Sequence, residues 1–152
     1  MLSSRCNDAF SKDSEITLTD LRRELKKEIE SVQLLGREIF EVWINEDAPP
    51  SEGNKDTCLK AVRECDVLIV LSNGNAGWAL SSEDIGICHA EYMEGLRTAQ
   101  SKVRFIELPK VANADDVNAQ KRNQRYQEYV SKQTPFRGGE IKTVEDAKKV
   151  CF

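Results

Sequence analysis

The run Val67-Leu-Ile-Val-Leu71 limits what this chain can become more than any other feature of it. Alternating apolar and polar residues would mark a strand with one wet face. Five consecutive apolar residues, rich in β-branched side chains, predict a strand buried on both faces. That is the signature of a parallel sheet covered by helices. The turn-forming stretch Ser72-Asn-Gly-Asn-Ala-Gly77 ends the run.

The flanking segments fit such a sheet. Leu2-Ser3-Ser4 begins as a very short strand and breaks into a polar stretch, Arg5 to Glu15. Thr19-Asp20 caps a predicted helix with apolar positions Leu21, Leu25, Ile29, Val32 and Leu35, and Gly36 is its expected stop. Glu38 to Asn45 alternates as a strand, and Glu46-Asp-Ala-Pro-Pro50 must be loop because proline has no donor and a fixed φ. Asp56 or Thr57 opens a short helix carrying Cys58, Leu59, Val62 and Cys65. A further helix is expected from about Glu83 to Arg97, and a strand from Val103 to Leu108. The order β-α-β-α-β-α-β predicts an open, mainly parallel α/β sheet of flavodoxin-like type with helices on both faces.

Beyond this core, Asp115 to Lys132 reads as a polar helix packing through Tyr126, Tyr129 and Val130. Thr134 to Gly139 is linker-like, and Thr143-Val-Glu-Asp146 carries a helix-start signature. The expected division is an α/β domain over 1–110 and a helical extension or connector over 111–152. The chain reads as a module cut from the N-terminus of something longer.

Composition removes several function classes. A net charge of −4 argues against nucleic acid as a direct partner. No apolar run reaches the ~18 residues of a membrane span, and the N-terminus lacks a signal-peptide core, so a cytoplasmic domain is expected. Five cysteines without a C-x-x-C pair, beside the single His89, give no zinc spacing. They are expected to be reduced, with Cys6 and Cys151 the most exposed. The P-loop and G-x-S-x-G patterns are absent.

In an open parallel sheet, ligands bind at the carboxyl ends of the strands. The loops there offer Ser3, Ser4, Arg5 and Asn7, suited to phosphate or ribose. Asn73 and Gly74 permit close backbone approach, and Trp78 is suited to stacking a ring. Glu91 is the candidate catalytic residue. It lies one turn beyond the sheet-facing Ile87 and Cys88, and a carboxylate on a buried stripe needs partners or a job. Glu94 and Arg97 read as solvated helix charges, and His89 lies on a different face from Glu91.

The segments Val42–Pro50, Cys58–Leu71, Asn73–Trp78 and Ile87–Tyr92, taken in order, carry a resemblance. From Gly36 to Leu108 the chain resembles TIR-like domains (Toll/interleukin-1 receptor-like) classed in bacteria as a domain of unknown function. It is also similar to nucleoside 2-deoxyribosyltransferases. Ser3-Ser4 matches the serine pair that ends the family's first strand. Cys88-His-Ala-Glu91 keeps the C-x-x-E of the TIR helix that supplies a glutamate, with Ile87 where tryptophan stands in the pattern. The resemblance implies that Glu91 cleaves the N-glycosidic bond of NAD or a related nucleotide, with Ser4, Arg5, Asn73, Gly74 and Trp78 lining the site. NAD would be substrate, with no cofactor and no metal. A deoxyribosyltransferase would want a second acid, for which Glu46, Asp47 and Glu83 are available. The resemblance also implies a larger bacterial chain tied to antiphage defence or signalling. The alternative is a non-catalytic module that senses a nucleotide or self-associates and gates a C-terminal effector.

Overall fold

The computed structural model describes residues 1–47, 55–81, 84–110, 116–133 and 140–151, and the backbone of 136–137. Four parallel strands form one sheet in the order β1 (Leu2–Ser3), β4 (Leu68–Ser72), β5 (Val103–Glu107), β6 (Phe136–Arg137). Two further strands, β2 (Gln33–Leu34) and β3 (Arg37–Glu38), make a separate antiparallel hairpin. The helices are α1 (Leu18–Glu30), α2 (Lys55–Glu64), α3 (Ile87–Thr98), α4 (Val117–Lys132) and α5 (Val144–Cys151).

β4 divides the core in two. Leu68 and Val70 join Val103 and Phe105 of β5, Val62 of α2, Tyr92 of α3 and Tyr126 of α4 on one face. Leu71 and Ile106 join Leu18, Leu21 and Leu25 of α1, and Ala147 of α5, on the other. Successive side chains of a strand point to opposite faces, so an unbroken apolar run serves both layers. The sheet is the expected open α/β arrangement, consistent with a flavodoxin-like fold. The segment 111–152 contributes to both layers, through Tyr126 on one face and Ile141 and Ala147 on the other.

The helix expected from about Glu83 starts only at Ile87, and Phe136–Arg137, inside the stretch read as linker-like, forms β6 beside β5. Two further expectations are corrected. α1 starts earlier and ends earlier than its apolar stripe suggests. Thr17 is the N-cap, with a reciprocal pair of hydrogen bonds to Asp20, and Glu30 is the last residue. Val32 and Leu35 fall outside it. Leu35 (φ 53) and Gly36 (φ 76) instead form the turn of the β2–β3 hairpin. A two-residue hairpin turn of type I′ has positive φ at both central positions, as here, so Gly36 serves a turn rather than a helix end. Leu35 is 95% exposed there.

The second correction concerns Glu38 to Asn45, where only Arg37–Glu38 is a strand, paired inside the hairpin. Val42 to Ile44 does run beside β1, but the link is one hydrogen bond, from Leu2 N to Trp43 O at 3.1 Å. Side chains of α1 take the backbone groups a ladder would use. The Glu30 carboxylate accepts from Val42 N at 2.8 Å, and Lys26 Nζ donates to Val42 O. Val42 and Ile44 still reach the core.

α3 carries the candidate catalytic residue, and glycines fix where it starts. Its N-cap is Gly86, with no side-chain cap. Carbonyls of the loop after β4 do that work: Trp78 O accepts from Ile87 N and Ala76 O from Cys88 N, both at 2.8 Å. A Cβ at Gly86 would lie 2.2 Å from Ala76 O. We therefore expect Gly86→Ala to cost about 1–3 kcal/mol, seen as a lower urea midpoint at unchanged slope. Gly36→Ala, in open space but at φ +76, should cost about 1 kcal/mol.

Candidate functional site

Glu91 is 5% exposed, on the sheet-facing side of α3. Ser3, the last residue of β1, donates its hydroxyl to Glu91 Oε2. Strand β1 thus ends where the helix presents its carboxyl. Burial pushes the Glu91 pKa up to about 7, opposed by the Ser3 hydrogen bond, the Arg22 guanidinium and the Cys58 thiol. The group therefore titrates near neutrality.

A second polar cluster stands close by. Arg22 of α1 is 1% exposed. Its Nη2 donates to Cys6 Sγ at 3.1 Å and pairs with Glu46. Thr19 donates to the same Glu46 oxygen at 3.3 Å. Arg22 Nε and Glu46 Oε2 are buried without hydrogen-bond partners. Of the spare carboxylates, Glu46 is thus neutralised by Arg22, Asp47 pairs with Lys26 at 2.9 Å, and Glu83 lies outside the described residues. Sequence reasoning missed Arg22. The available signal was its place three residues before Leu25 and four after Leu18, at the edge of the apolar stripe.

The expected lining residues divide among several sites. Ser4 hydrogen-bonds the Arg5 carbonyl at 2.9 Å, so Ser3 rather than Ser4 meets Glu91. Arg5 Nε lies 3.6 Å from Asp8, and Asp8 also accepts from Asn73 at 2.9 Å and Asn75 at 2.7 Å. Gly74 (φ 89) turns away toward α4, where its carbonyl accepts from Gln127 at 3.1 Å. It lines a cleft of about 150 Å³ with Ser72 and Tyr126, and Glu91 is not part of that lining. Trp78 is 40% exposed, and its carbonyl caps α3.

His89 packs against the rings of Tyr126 and Tyr129, with centroids 5.2 and 5.0 Å away. Neither ring nitrogen has a partner, and burial, with Arg125 nearby, lowers its pKa to about 4. All five cysteines are free thiols. Cys6 and Cys151 are only half-buried, while Cys58, buried beside Glu91, is pushed up to about 12 and is no nucleophile at neutral pH. Among the described residues no cluster could hold a metal ion, and no helix is long and apolar enough to cross a membrane.

Glu91 and His89 give opposite pH dependences of stability. Glu91 holds its proton more tightly folded than unfolded, so its contribution is lost as pH rises from about 4.5 through about 7. His89 binds its proton less tightly when folded, so stability is lost as pH falls from about 6.5 through about 4. Each effect is about 3 kcal/mol over its full range. The wild type should therefore be nearly flat in these two contributions between pH 4.5 and 6.5. Glu91→Gln should gain stability with rising pH across that window, and His89→Phe should lose it. Chemical denaturation at a series of pH values reads both slopes.

A family model described as a domain of unknown function, DUF4062, matches residues 16–151. No curated protein and no solved structure matches the chain. The matched range takes in all five helices and Glu91, while Ser3 and β1 precede it. The chain belongs to the DUF4062 family.

Proposed function

We propose that this domain is TIR-like, that it binds a nucleotide across the carboxyl ends of β1 and β4, and that Glu91 acts on the N-glycosidic bond of NAD or a related nucleotide. The observation that carries this reading is the placement of Glu91: a buried carboxyl, held by the Ser3 hydroxyl, at the strand ends where open parallel sheets bind ligands. A solvated helix glutamate would have neither the partner nor the altered pKa. The resemblance to TIR-like domains and nucleoside deoxyribosyltransferases supports the reading. A larger bacterial protein of antiphage defence or signalling is the setting it suggests.

The chemistry asks for an anion. As the bond from the anomeric carbon to the nicotinamide nitrogen breaks, its electron pair neutralises the pyridinium and leaves a cationic sugar. Ionised Glu91 stabilises that cation, and water adds to the anomeric carbon and releases a proton. Nicotinamide leaves without needing an acid, so one carboxylate suffices. The Ser3 hydroxyl and the Arg22 charge both favour the ionised form of Glu91. With a free-enzyme pKa near 7, kcat/KM should rise with pH and level off above neutrality.

The test is incubation of the protein with NAD and a panel of nucleotides, read by mass spectrometry. Nicotinamide release is expected from the wild type, with Glu91→Gln reduced by about 100-fold or more while remaining folded. The closed setting of Glu91, at 5% exposure, favours a second reading: a non-catalytic nucleotide-sensing or interaction module that gates a C-terminal effector. That reading expects thermal stabilisation by a nucleotide with no turnover.

A further inference from the structure

Every residue from 31 to 41 is exposed, and none of them joins a core cluster. The segment nonetheless forms a hairpin, β2 paired with β3. A two-stranded hairpin is marginal in water unless something packs on it. Its composition is also wrong for a surface that stays wet. Of the ten large apolar side chains exposed among the described residues, Val32, Leu34, Leu35, Ile39 and Phe40 lie within nine consecutive positions. Apolar residues scattered singly over a surface mean little, but a group gathered on one hairpin marks an interaction surface.

Charge selects the occupant. Ile39 and Phe40 line an open groove of about 530 Å³ with Glu30, Glu38 and Glu41, and no basic side chain is among these lining residues. That volume has room for several side chains. Glu30 is already held, by Lys26 Nζ at 3.2 Å and by Val42 N at 2.8 Å. Glu38 and Glu41 have no ion pair among the described residues. An anionic bilayer would be repelled by these carboxylates. A second copy would bring the same carboxylates, and the residues 31–41 fall short of the roughly 20–30 residues a side of a stable interface. A single helix of opposite charge needs a smaller footprint and meets neither objection. We propose that this groove binds a basic amphipathic helix of another protein. Its apolar stripe lies on Ile39 and Phe40, and its Lys or Arg side chains face Glu38 and Glu41. The surface is independent of the Glu91 chemistry.

The test is fluorescence anisotropy of labelled peptides of about 18 residues, titrated with the whole chain at about 0.15 M salt. One peptide carries leucine and lysine at helical spacing, a second leucine and glutamate, a third serine and lysine. The leucine–lysine peptide should bind with a Kd of about 10 μM or tighter, and the other two at least about tenfold more weakly. Glu38→Lys with Glu41→Lys, and separately Ile39→Ser with Phe40→Ser, should each weaken it by about tenfold or more. All four side chains are exposed, so both variants stay folded. Asp13→Lys with Glu15→Lys makes the same change of net charge at two exposed positions outside the hairpin, and should bind as the wild type does. Glu91→Gln should also bind as the wild type does, so this proposal and the glycosidic one fail separately. The proposal is overturned by no binding of the leucine–lysine peptide, by equal binding of the serine–lysine peptide, or by an equal loss in the Asp13 and Glu15 variant. Sedimentation showing a dimer that Ile39→Ser with Phe40→Ser dissolves would assign the surface to a second copy, and binding to phosphatidylserine vesicles lost in that variant would assign it to a membrane. Either result also overturns the proposal.

Discussion

Strand β4 is the constraint on which the other elements depend. It hydrogen-bonds β1 along one edge and β5 along the other, and it sends side chains into both core clusters. β1 is only two residues long, so most of what fixes its place is the ladder it makes with β4. That short ladder sets Ile69 opposite Leu2 and Val70 opposite Ser3. A one-residue slip would turn Ser3 to the opposite face. Ser3 is therefore aimed at Glu91 by its register against β4.

How much of this was legible in the sequence depends on the kind of signal. Leu68 to Leu71 announced the sheet and its two covered faces, while Val67, which opens the apolar run, precedes β4 and is 48% exposed. The helix-start pair Thr143 and Asp146 was legible too, because capping is local chemistry. The Leu21–Leu35 stripe misled because helical periodicity says nothing about where the backbone departs from helix. Leu35 and Gly36 look like a helix end, and the hairpin they make is set by pairing between Gln33–Leu34 and Arg37–Glu38. Val42 to Ile44 has the alternation of a strand, but Glu30 and Lys26 claim its backbone groups, a competition that no single segment reveals.

The site was legible in part for the same reason. Glu91 stood out because it shares a helix face with Ile87 and Cys88, and helical spacing alone places it there. Arg22 did not, because one charge beside a leucine stripe is ordinary until its carboxylate partner is known. That partner, Glu46, lies 24 residues further on. The arginine is wholly buried and Glu46 mostly so, and removing either would strand a charge out of water. Their burial beside Glu91 puts a fixed positive group within reach of a carboxyl that burial would otherwise keep protonated. The two opposing influences leave Glu91 titrating near neutral pH, where a small change in its surroundings changes its charge.

The loop after β4 joins the two regions argued above. On one side Asn73 and Asn75 both donate to Asp8, which also neighbours Arg5, so the loop is tied to the chain leaving β1. On the other, Asn123 of α4 accepts from Ala76 N at 2.8 Å and donates to Asn75 at 3.0 Å, while Gln127 donates to the Gly74 carbonyl. Asn75 is bonded in both directions through one side chain. Moving it would break the Asp8 and Asn123 bonds together, and Ala76, one residue on, supplies the carbonyl that starts α3. The position of Glu91 on its helix and the shape of the cleft beside Tyr126 therefore rest on the same few amide groups.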